Sequence, residues 1–272
     1  MSTPRILIFD SGMGGLTVAR AVSKQMPQAH LVYAADNAAF PYGAWEEQKL
    51  VARILMVLGK LIETVKPDVA VIACNTASTI ALAELRAAYR IPFVGTVPAI
   101  KPAAALTKTG VIGVLATPGT VAREYTHSLI HTYAYHCKVL LHGAPRLAEI
   151  AEQKLRGHAV DMDELRNEIA PVFRNRNGQP TDVVVLGCTH YPLLIEDMEK
   201  VAPWPVSYVD PAPAIARRVA DVVEETRLSG PDEALPTHGT VILTSARGSA
   251  SETLAAYAGM GFPKHKVLDL PV

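Results

Sequence analysis

Two segments of this chain follow one template. The first reads Asp68-Val-Ala-Val-Ile-Ala-Cys74-Asn75-Thr76, the second Asp182-Val-Val-Val-Leu-Gly-Cys188-Thr189-His190. Each is an Asp, four apolar residues, a small residue, a Cys, and then a hydroxyl-bearing residue within two places. An unbroken apolar run of this length reads as a strand buried on both faces of a parallel sheet. Each Cys then lies just past a strand's carboxyl end, where open α/β sheets bind their ligands.

The rest of the chain alternates in the same way, which makes the class α/β with mostly parallel central sheets. Strands are predicted over 5–9, 31–35, 69–73, 111–116, 139–142, the run before Cys188, 206–209 and 240–244. Helices are predicted over about 16–25, 46–65, 78–89, from 121 onward, 145–156, 161–173 and 211–227, with Asn75, Thr76 and Ser78 available as caps. Phe40-Pro41-Tyr42-Gly43 reads as a loop, 92–102 as a crossover and Asn175-Arg176-Asn177-Gly178 as a turn. After the crossover the pattern restarts. Ser11 stands 63 positions before Cys74, and Thr117 stands 71 before Cys188. Both halves offer strand, hydroxyl-containing turn, helix, and a later strand ending in Cys. Two pseudo-symmetric α/β domains are therefore expected, 1–97 plus 209–272 and 98–208, with the active site in the cleft between them. The tail beyond 208 is too short for a third domain and is expected to pack on the first half.

Bulk composition narrows the function classes. Hydrophobic residues make up 49% of 272, ample for a core. Acidic and basic residues balance at 26 each, against a nucleic-acid protein held by bulk charge. Three cysteines without framework spacing suit a reduced, cytoplasmic protein better than a disulfide scaffold. The apolar stretch Ile6–Phe9 is too short for a signal-peptide core. Arg53 and Lys60 interrupt the apolar stretch near 50–65, which reads as an amphipathic helix and not a membrane span.

The turn Asp10-Ser11-Gly12-Met13-Gly14-Gly15 joins a strand to a helix, so its N–H groups can hold a carboxylate or phosphate. It lacks G-x-G-x-x-G spacing and a P-loop Lys, so no nucleotide site is indicated; the plain alternative is a tight turn whose glycines allow close packing. Cys74 precedes a helix N-terminus, which favours a thiolate, and Cys188 is read in the same setting with His190 two residues on. A pair of buried, inert thiols is the bland alternative, and the matched contexts argue against it. Cys137 has no such match and reads as a bystander. His127, His131 and His136 fit a solvated helix face, and a zinc site from Cys74, Cys188 and His190 would lack any C-x-x-C pair. No metal and no cofactor are expected; no Lys stands in a recognisable Schiff-base context for pyridoxal phosphate.

Two thiols on opposite sides of one carbon suit one reaction. A thiolate removes a proton, a thiol delivers one to the opposite face, and a stereocentre inverts. Such a pair titrates as a coupled unit. A carboxylate substrate needs donors, for which Ser11, Thr76, Thr117, Thr120 and Thr189 are candidates, and an α-ammonium needs an acceptor, Asp10 or Asn75.

These motifs, with Pro41-Tyr42-Gly43, Cys74-Asn75-Thr76-Ala77-Ser78, Ala116-Thr117-Pro118-Gly119-Thr120-Val121 and Gly187-Cys188-Thr189-His190-Tyr191-Pro192, resemble the glutamate racemase family over essentially the whole chain. The resemblance implies two α/β domains and cofactor-independent supply of D-glutamate for peptidoglycan. It implies Cys74 as the base toward D-glutamate and Cys188 toward L-glutamate. Asp10 would support Cys74, His190 would support Cys188, and Glu152 matches a further acidic residue near the second thiol. Implied substrate contacts are Asp10, Ser11, Tyr42, Gly43, Asn75, Thr76, Thr117, Thr120, Thr189 and His190. A homodimer is a family expectation. The chain departs from the family at Ala144-Pro145, where Cys-Pro is common, and at Asp210-Pro211-Ala212, where Asp-Ser-Gly is common.

Some enterobacterial relatives carry an N-terminal extension linked to activation by a cell-wall precursor. The first strand here begins near Arg5, so no precursor requirement is expected. The rival readings are an aspartate racemase, which tends to carry Cys-Thr-Glu at the second thiol, and a two-domain glutamate-binding protein without chemistry. A regulatory association with DNA gyrase finds no support in this neutral sequence.

Overall fold

The computed structural model describes residues 3–226 and 239–271. Contacts divide the chain into two compact units, Met1–Thr96 with Ala212–Val272, and Val97–Pro211. In chain order the elements are β1 (Arg5–Asp10), α1 (Leu16–Gln25), β2 (His30–Ala35), α2 (Glu47–Val65), β3 (Val69–Ile72), α3 (Asn75–Ala88) and β4 (Phe93–Gly95). The second unit follows with α4 (Ile100–Leu106), β5 (Val111–Ala116), α5 (Pro118–Val121), α6 (Glu124–Tyr133), β6 (Lys138–Gly143), α7 (Leu147–Leu155) and α8 (Met162–Ile169). It continues with a small hairpin of β7 (Asn175–Arg176) and β8 (Gln179–Pro180), then β9 (Val183–Gly187), α9 (Ile195–Val201) and β10 (Ser207–Val209). The chain then returns to the first unit as α10 (Ala212–Glu225), β11 (Thr240–Leu243), α11 (Ser251–Gly259) and β12 (Lys264–Val267).

The first unit holds a six-stranded parallel sheet in the order β12-β11-β2-β1-β3-β4. The second holds a four-stranded parallel sheet in the order β10-β9-β5-β6. In each, the strand that leads to a Cys lies beside the first strand of its unit, β3 beside β1 and β9 beside β5. Every residue of β1, β3, β5 and β9 is buried, as expected for strands covered on both faces.

Helix α2 shows how the layers are held. Leu50, Ile54, Val57, Leu58, Leu61 and Val65 recur at helical spacing and are buried. They pack in one core with Leu7, Phe9, Val32, Ala70 and Ile72 of the sheet. Each such side chain contributes about 1.5–3 kcal/mol on burial. The helix stops at Lys66, whose φ of 48° is left-handed.

The two Asp residues of the template have matching structural work. The Asp68 carboxylate accepts from the backbone N–H of Arg5 at 2.7 Å, and the Asp68 N–H donates to the Arg5 carbonyl at 2.8 Å. Asp182 accepts from the Thr107 hydroxyl and Lys108 N–H at 2.6 and 2.7 Å, and from both donors of Thr109. Each Asp therefore ties the start of its Cys-bearing strand to the chain entering the neighbouring strand.

Several elements differ from expectation. Helix α3 begins at Asn75, three residues early, and Cys74 itself is the N-cap. Asn75, Thr76 and Ser78 lie inside the first turn, and Ser78 donates to the Ile72 carbonyl while accepting from Thr96 N–H. The crossover contains the edge strand β4 and the start of α4. The helix expected from 121 is broken into α5 and α6. Helix α11 and strand β12 were not anticipated, because β12 is Lys-His-Lys-Val and exposed throughout, an edge strand without an apolar signature. Arg227, placed at the end of a predicted helix, lies outside the described residues. Asn177 and Gly178 have φ of 53° and 82°, the two left-handed positions of a tight hairpin turn. No helix among the described residues is long and apolar enough to cross a membrane.

Candidate active site

In the first unit, parallel register brings four strand ends into one row. Asp36 N–H donates to the Asp10 carbonyl at 2.9 Å, Ala73 N–H to the Phe9 carbonyl at 2.8 Å, and Thr244 N–H to the Ala35 carbonyl at 3.2 Å. Asp10, the last residue of β1, thus stands in one row with Thr244, Asp36 and Cys74, which lie just past the ends of β11, β2 and β3 at the sheet's carboxyl end. Asp10 is buried, and its Oδ1 accepts from Gly12 N–H at 2.8 Å and from the Ser11 hydroxyl at 3.3 Å. The turn is packed tightly. A Cβ on Gly15 would meet Asp10 Cβ and Tyr33 Oη at 2.9 Å and Ala73 Cβ at 3.0 Å. Tyr33 donates to the Gly12 carbonyl at 2.8 Å.

Cys74 is buried at the N-terminus of the fourteen-residue α3, where aligned peptide dipoles favour negative charge. Asn75 and Thr76 are buried beside it, and the Asn75 amide nitrogen and oxygen have no hydrogen-bond partner among the described residues. Tyr42 and Gly43 lie in a 3-10 turn that packs on α3. The Tyr42 hydroxyl donates to Asp36 Oδ2 at 2.6 Å. Burial first, then the charge of Asp36 and of Cys74, holds the Tyr42 phenol well above its usual pKa, so it stays a donor.

The second unit has its own row. Ala116 pairs with Gly187 and Gly143, which sets Thr117, Cys188 and Ala144 side by side at the strand ends. Thr117 caps α5, accepting from Thr120 N–H at 3.2 Å and donating to the Thr120 hydroxyl at 3.0 Å. Cys188, Thr189 and His190 are buried. His190 Nδ1 lies 3.7 Å from the Cys188 sulfur, and its Nε2 lies 3.2 Å from Glu152 Oε1. Arg156 donates to Glu152 Oε2 at 2.5 Å. Tyr191 is buried, donates to the Ala144 carbonyl, and is held well above its usual pKa by burial and then by the charge of Cys188.

The two thiols are not in the same setting. Cys188 is followed by a 3-10 turn, Tyr191–Leu194, before α9 begins at Ile195, so no long helix starts at its sulfur. The cause is local: Pro192 comes early, and the chain tightens into i→i+3 bonds. Cys74 has a helix terminus; Cys188 has an imidazole. Cys74, Cys137 and Cys188 are all free thiols, and Cys137 is half-buried on the far end of the second sheet, before β6. Among the described residues, no three His, Cys, Asp or Glu side chains gather in a metal-holding group.

Asp36, Arg53 and Arg156 were missed. An Asp directly after β2 resembles Asp10 at the end of β1, and Arg156 stands four residues after Glu152, a helical ion-pair spacing. Either signal was available. The Arg on the apolar face of α2 was read only as an interruption.

Comparison with known proteins agrees with this geometry. Residues 16–219 match the Asp/Glu/Hydantoin racemase family. A glutamate racemase of Brucella anthropi is 51% identical over 243 residues, covering 89% of this chain and 86% of its own. One from Bartonella bacilliformis is 54% identical over 227 residues, covering 83% and 84%. The crystal structure of Escherichia coli glutamate racemase, in complex with L-glutamate and the activator UDP-MurNAc-ala, superposes with a TM-score of 0.91 at 40% identity, over 99% of this chain and 100% of that one. The chain belongs to the Asp/Glu/Hydantoin racemase family.

Proposed function

We propose that this chain is a glutamate racemase, interconverting L- and D-glutamate without a cofactor, with Cys74 and Cys188 as its two acid–base groups. One observation carries the reading. Two buried thiols each stand at the carboxyl end of a central parallel strand, Cys74 at a helix N-terminus and Cys188 beside the His190 ring. The substrate is assigned through the similarity to relatives named glutamate racemase and to the Escherichia coli enzyme solved with L-glutamate.

The thiols serve opposite faces of the α-carbon. Toward L-glutamate, the Cys188 thiolate takes the α-proton and the C–H electron pair stays on carbon. The Cys74 thiol then gives its proton to the other face, leaving Cys74 as thiolate and Cys188 as thiol. Starting from D-glutamate, Cys74 is the base and Cys188 the acid. Asp10 supports Cys74; His190, oriented by Glu152, supports Cys188. Ser11, Tyr42, Gly43, Asn75, Thr76, Thr117, Thr120, Thr189 and His190 form the substrate surface, with Asp10 or Asn75 facing the α-ammonium. The Tyr42 hydroxyl is engaged by Asp36, so in this reading its loop contributes backbone groups and shape.

The product supplies D-glutamate for peptidoglycan. A cytoplasmic location and a homodimer complete the reading, supported by the family resemblance, and fractionation and sedimentation test them. The deciding experiment is proton NMR of L-glutamate in D₂O with purified protein. Loss of the α-proton signal with D-glutamate appearing supports the reading. An unchanged signal from folded protein, repeated with aspartate, sinks it and favours the binding-protein alternative.

A further inference from the structure

A charged pair that the reaction itself does not use lies beneath the first half-site. Asp36 is fully buried and its carboxylate is saturated. Arg53 Nε donates to Oδ2 at 2.7 Å and Arg53 Nη2 to Oδ1 at 2.6 Å, a two-pronged clamp. The Thr244 hydroxyl donates to Oδ1 at 2.7 Å, and the Tyr42 hydroxyl fills the remaining place on Oδ2 at 2.6 Å. The third guanidinium arm, Arg53 Nη1, reaches the Pro271 carbonyl at 2.5 Å.

That carbonyl belongs to an extended tail. Leu268 N–H donates to the Leu243 carbonyl and Leu270 N–H to the Thr244 carbonyl, both at 2.8 Å. The Leu268 and Leu270 side chains pack on the core that contains both Tyr42 and Cys74. Arg53 thus joins three separate pieces of chain, the end of β2, the tail, and through Asp36 the turn at Tyr42.

Helix α2 needs no arginine to pack. Its buried face is otherwise Leu50, Ile54, Val57, Leu58, Leu61 and Val65, and an apolar residue would complete it. Burying a guanidinium and a carboxylate is costly, and such pairs are often replaceable by apolar packing without loss of stability. What a bidentate pair adds is fixed geometry. Burial alone would lower the pKa of Arg53, but the hydrogen bonds and charge of Asp36 outweigh it and raise the value, so the guanidinium stays charged.

We propose that Arg53 is a positioning residue for racemisation: by clamping both oxygens of Asp36 it holds the Tyr42 hydroxyl, and with it the Tyr42-Gly43 turn, against α3 and Cys74. The proposal rests on the racemase reading above. Arg53 touches no substrate; it acts through Asp36 and Tyr42 on the surface that glutamate meets.

Steady-state kinetics of the full chain with both enantiomers test it. Arg53→Lys keeps the charge but cannot form the fork, and Thr244→Val removes one donor at nearly constant volume. Each is made alone and combined with Tyr42→Phe. Arg53→Lys raises KM about tenfold and Thr244→Val about threefold, with kcat within about twofold, as for a loss of substrate placement shared by ground and transition states. In the Tyr42→Phe background both effects shrink below about twofold, because the link they act through is already cut. A folded Arg53→Lys protein with unchanged KM overturns the proposal, as does a KM effect equally large with and without the Tyr42 hydroxyl. Should Arg53→Lys fail to fold, the Thr244→Val and Tyr42→Phe cycle decides by the same criterion. A wild type that leaves the glutamate α-proton in place takes down the racemase reading and this one together; a working wild type with unresponsive variants takes down this one alone.

Discussion

His190 is held by Glu152 on the ring edge turned away from the thiol: Nε2 lies 3.2 Å from Glu152 Oε1, while Nδ1 faces the Cys188 sulfur at 3.7 Å. An ionised carboxylate only accepts, so this contact assigns the ring proton to Nε2 and leaves the Nδ1 lone pair toward sulfur. Arg156, on Glu152 Oε2, favours the ionised carboxylate. In the proposed mechanism this lone pair is the group through which His190 supports Cys188.

Glu152→Gln tests that chain. The amide can present its NH₂ to Nε2 and so favours the opposite tautomer, with the proton on Nδ1. We expect kcat to fall about tenfold to a hundredfold, within the range general acid–base groups supply. Circular dichroism of the folded variant and chiral chromatography of its product check this; a kcat within twofold of wild type would remove Glu152 from the mechanism.

Cys74→Ser and Cys188→Ser are each expected to lower kcat/KM by about a thousandfold or more, because a serine hydroxyl is far harder to ionise. The loss must be equal in both directions, since the two enantiomers have equal free energies and the ratio of kcat/KM values is bound to one. Polarimetry from each pure enantiomer checks it. Near-normal turnover in either variant excludes the two-thiol mechanism.

The same physics explains what the sequence showed and what it hid. The Cys-bearing strands were legible because burial on both faces leaves an unbroken apolar run, as at Val183–Gly187. Strand β12 was not, because an exposed edge strand carries Lys264 and Lys266 and no such run. The cap at Cys74 was misread because residues 75, 76 and 78 are all good cap types, while the backbone turns from extended at Cys74 to helical at Asn75. His190 was found by its nearness in sequence to Cys188. Asp36 and Arg53 are 17 residues apart and meet only through the layering of α2 on the sheet, which no local pattern reveals.

Gly15→Ala is expected to be disproportionately harmful for one methyl group. Its Cβ would lie 2.9 Å from Asp10 Cβ and 3.0 Å from Ala73 Cβ, and neither neighbour is a flexible end. Overpacking of this kind costs about 1–3 kcal/mol, and here it displaces the residues flanking Cys74. Thermal unfolding should show the loss, with activity reduced further than stability. A variant with wild-type Tm and kcat would show that the turn has slack the distances do not suggest.

Asp182 makes a pH-linked prediction for the second unit. Burial pushes its carboxyl upward, but hydrogen bonds from Thr107, Lys108 and Thr109 outweigh that and hold it below its ordinary value. A depressed folded-state value means that stability is present above the unfolded pKa of about 3.9 and is lost as pH falls through the folded value. At pH 7, Asp182→Asn should cost about 1–3 kcal/mol, because charged acceptor bonds are replaced and one donor is misplaced. The Tm gap between wild type and variant should narrow as pH drops below about 4. A gap that is constant from pH 7 to pH 3 would mean the carboxylate charge is not what matters there.

Asn75 is the residue whose removal should help the fold and hurt the function. Its amide is buried with neither nitrogen nor oxygen partnered among the described residues, a defect that costs about 1–3 kcal/mol in a resting protein. Alanine also has the higher helix propensity in the first turn of α3. Asn75→Ala should therefore match or exceed the wild-type Tm without substrate. If the amide waits for glutamate, KM should rise about tenfold, and the Tm gain from saturating glutamate should be smaller in the variant, since ligand stabilisation follows RT ln(1 + [L]/Kd). Scanning calorimetry with and without glutamate reads both quantities. A variant that loses stability while keeping the wild-type KM would assign the amide to the fold and remove it from the substrate surface.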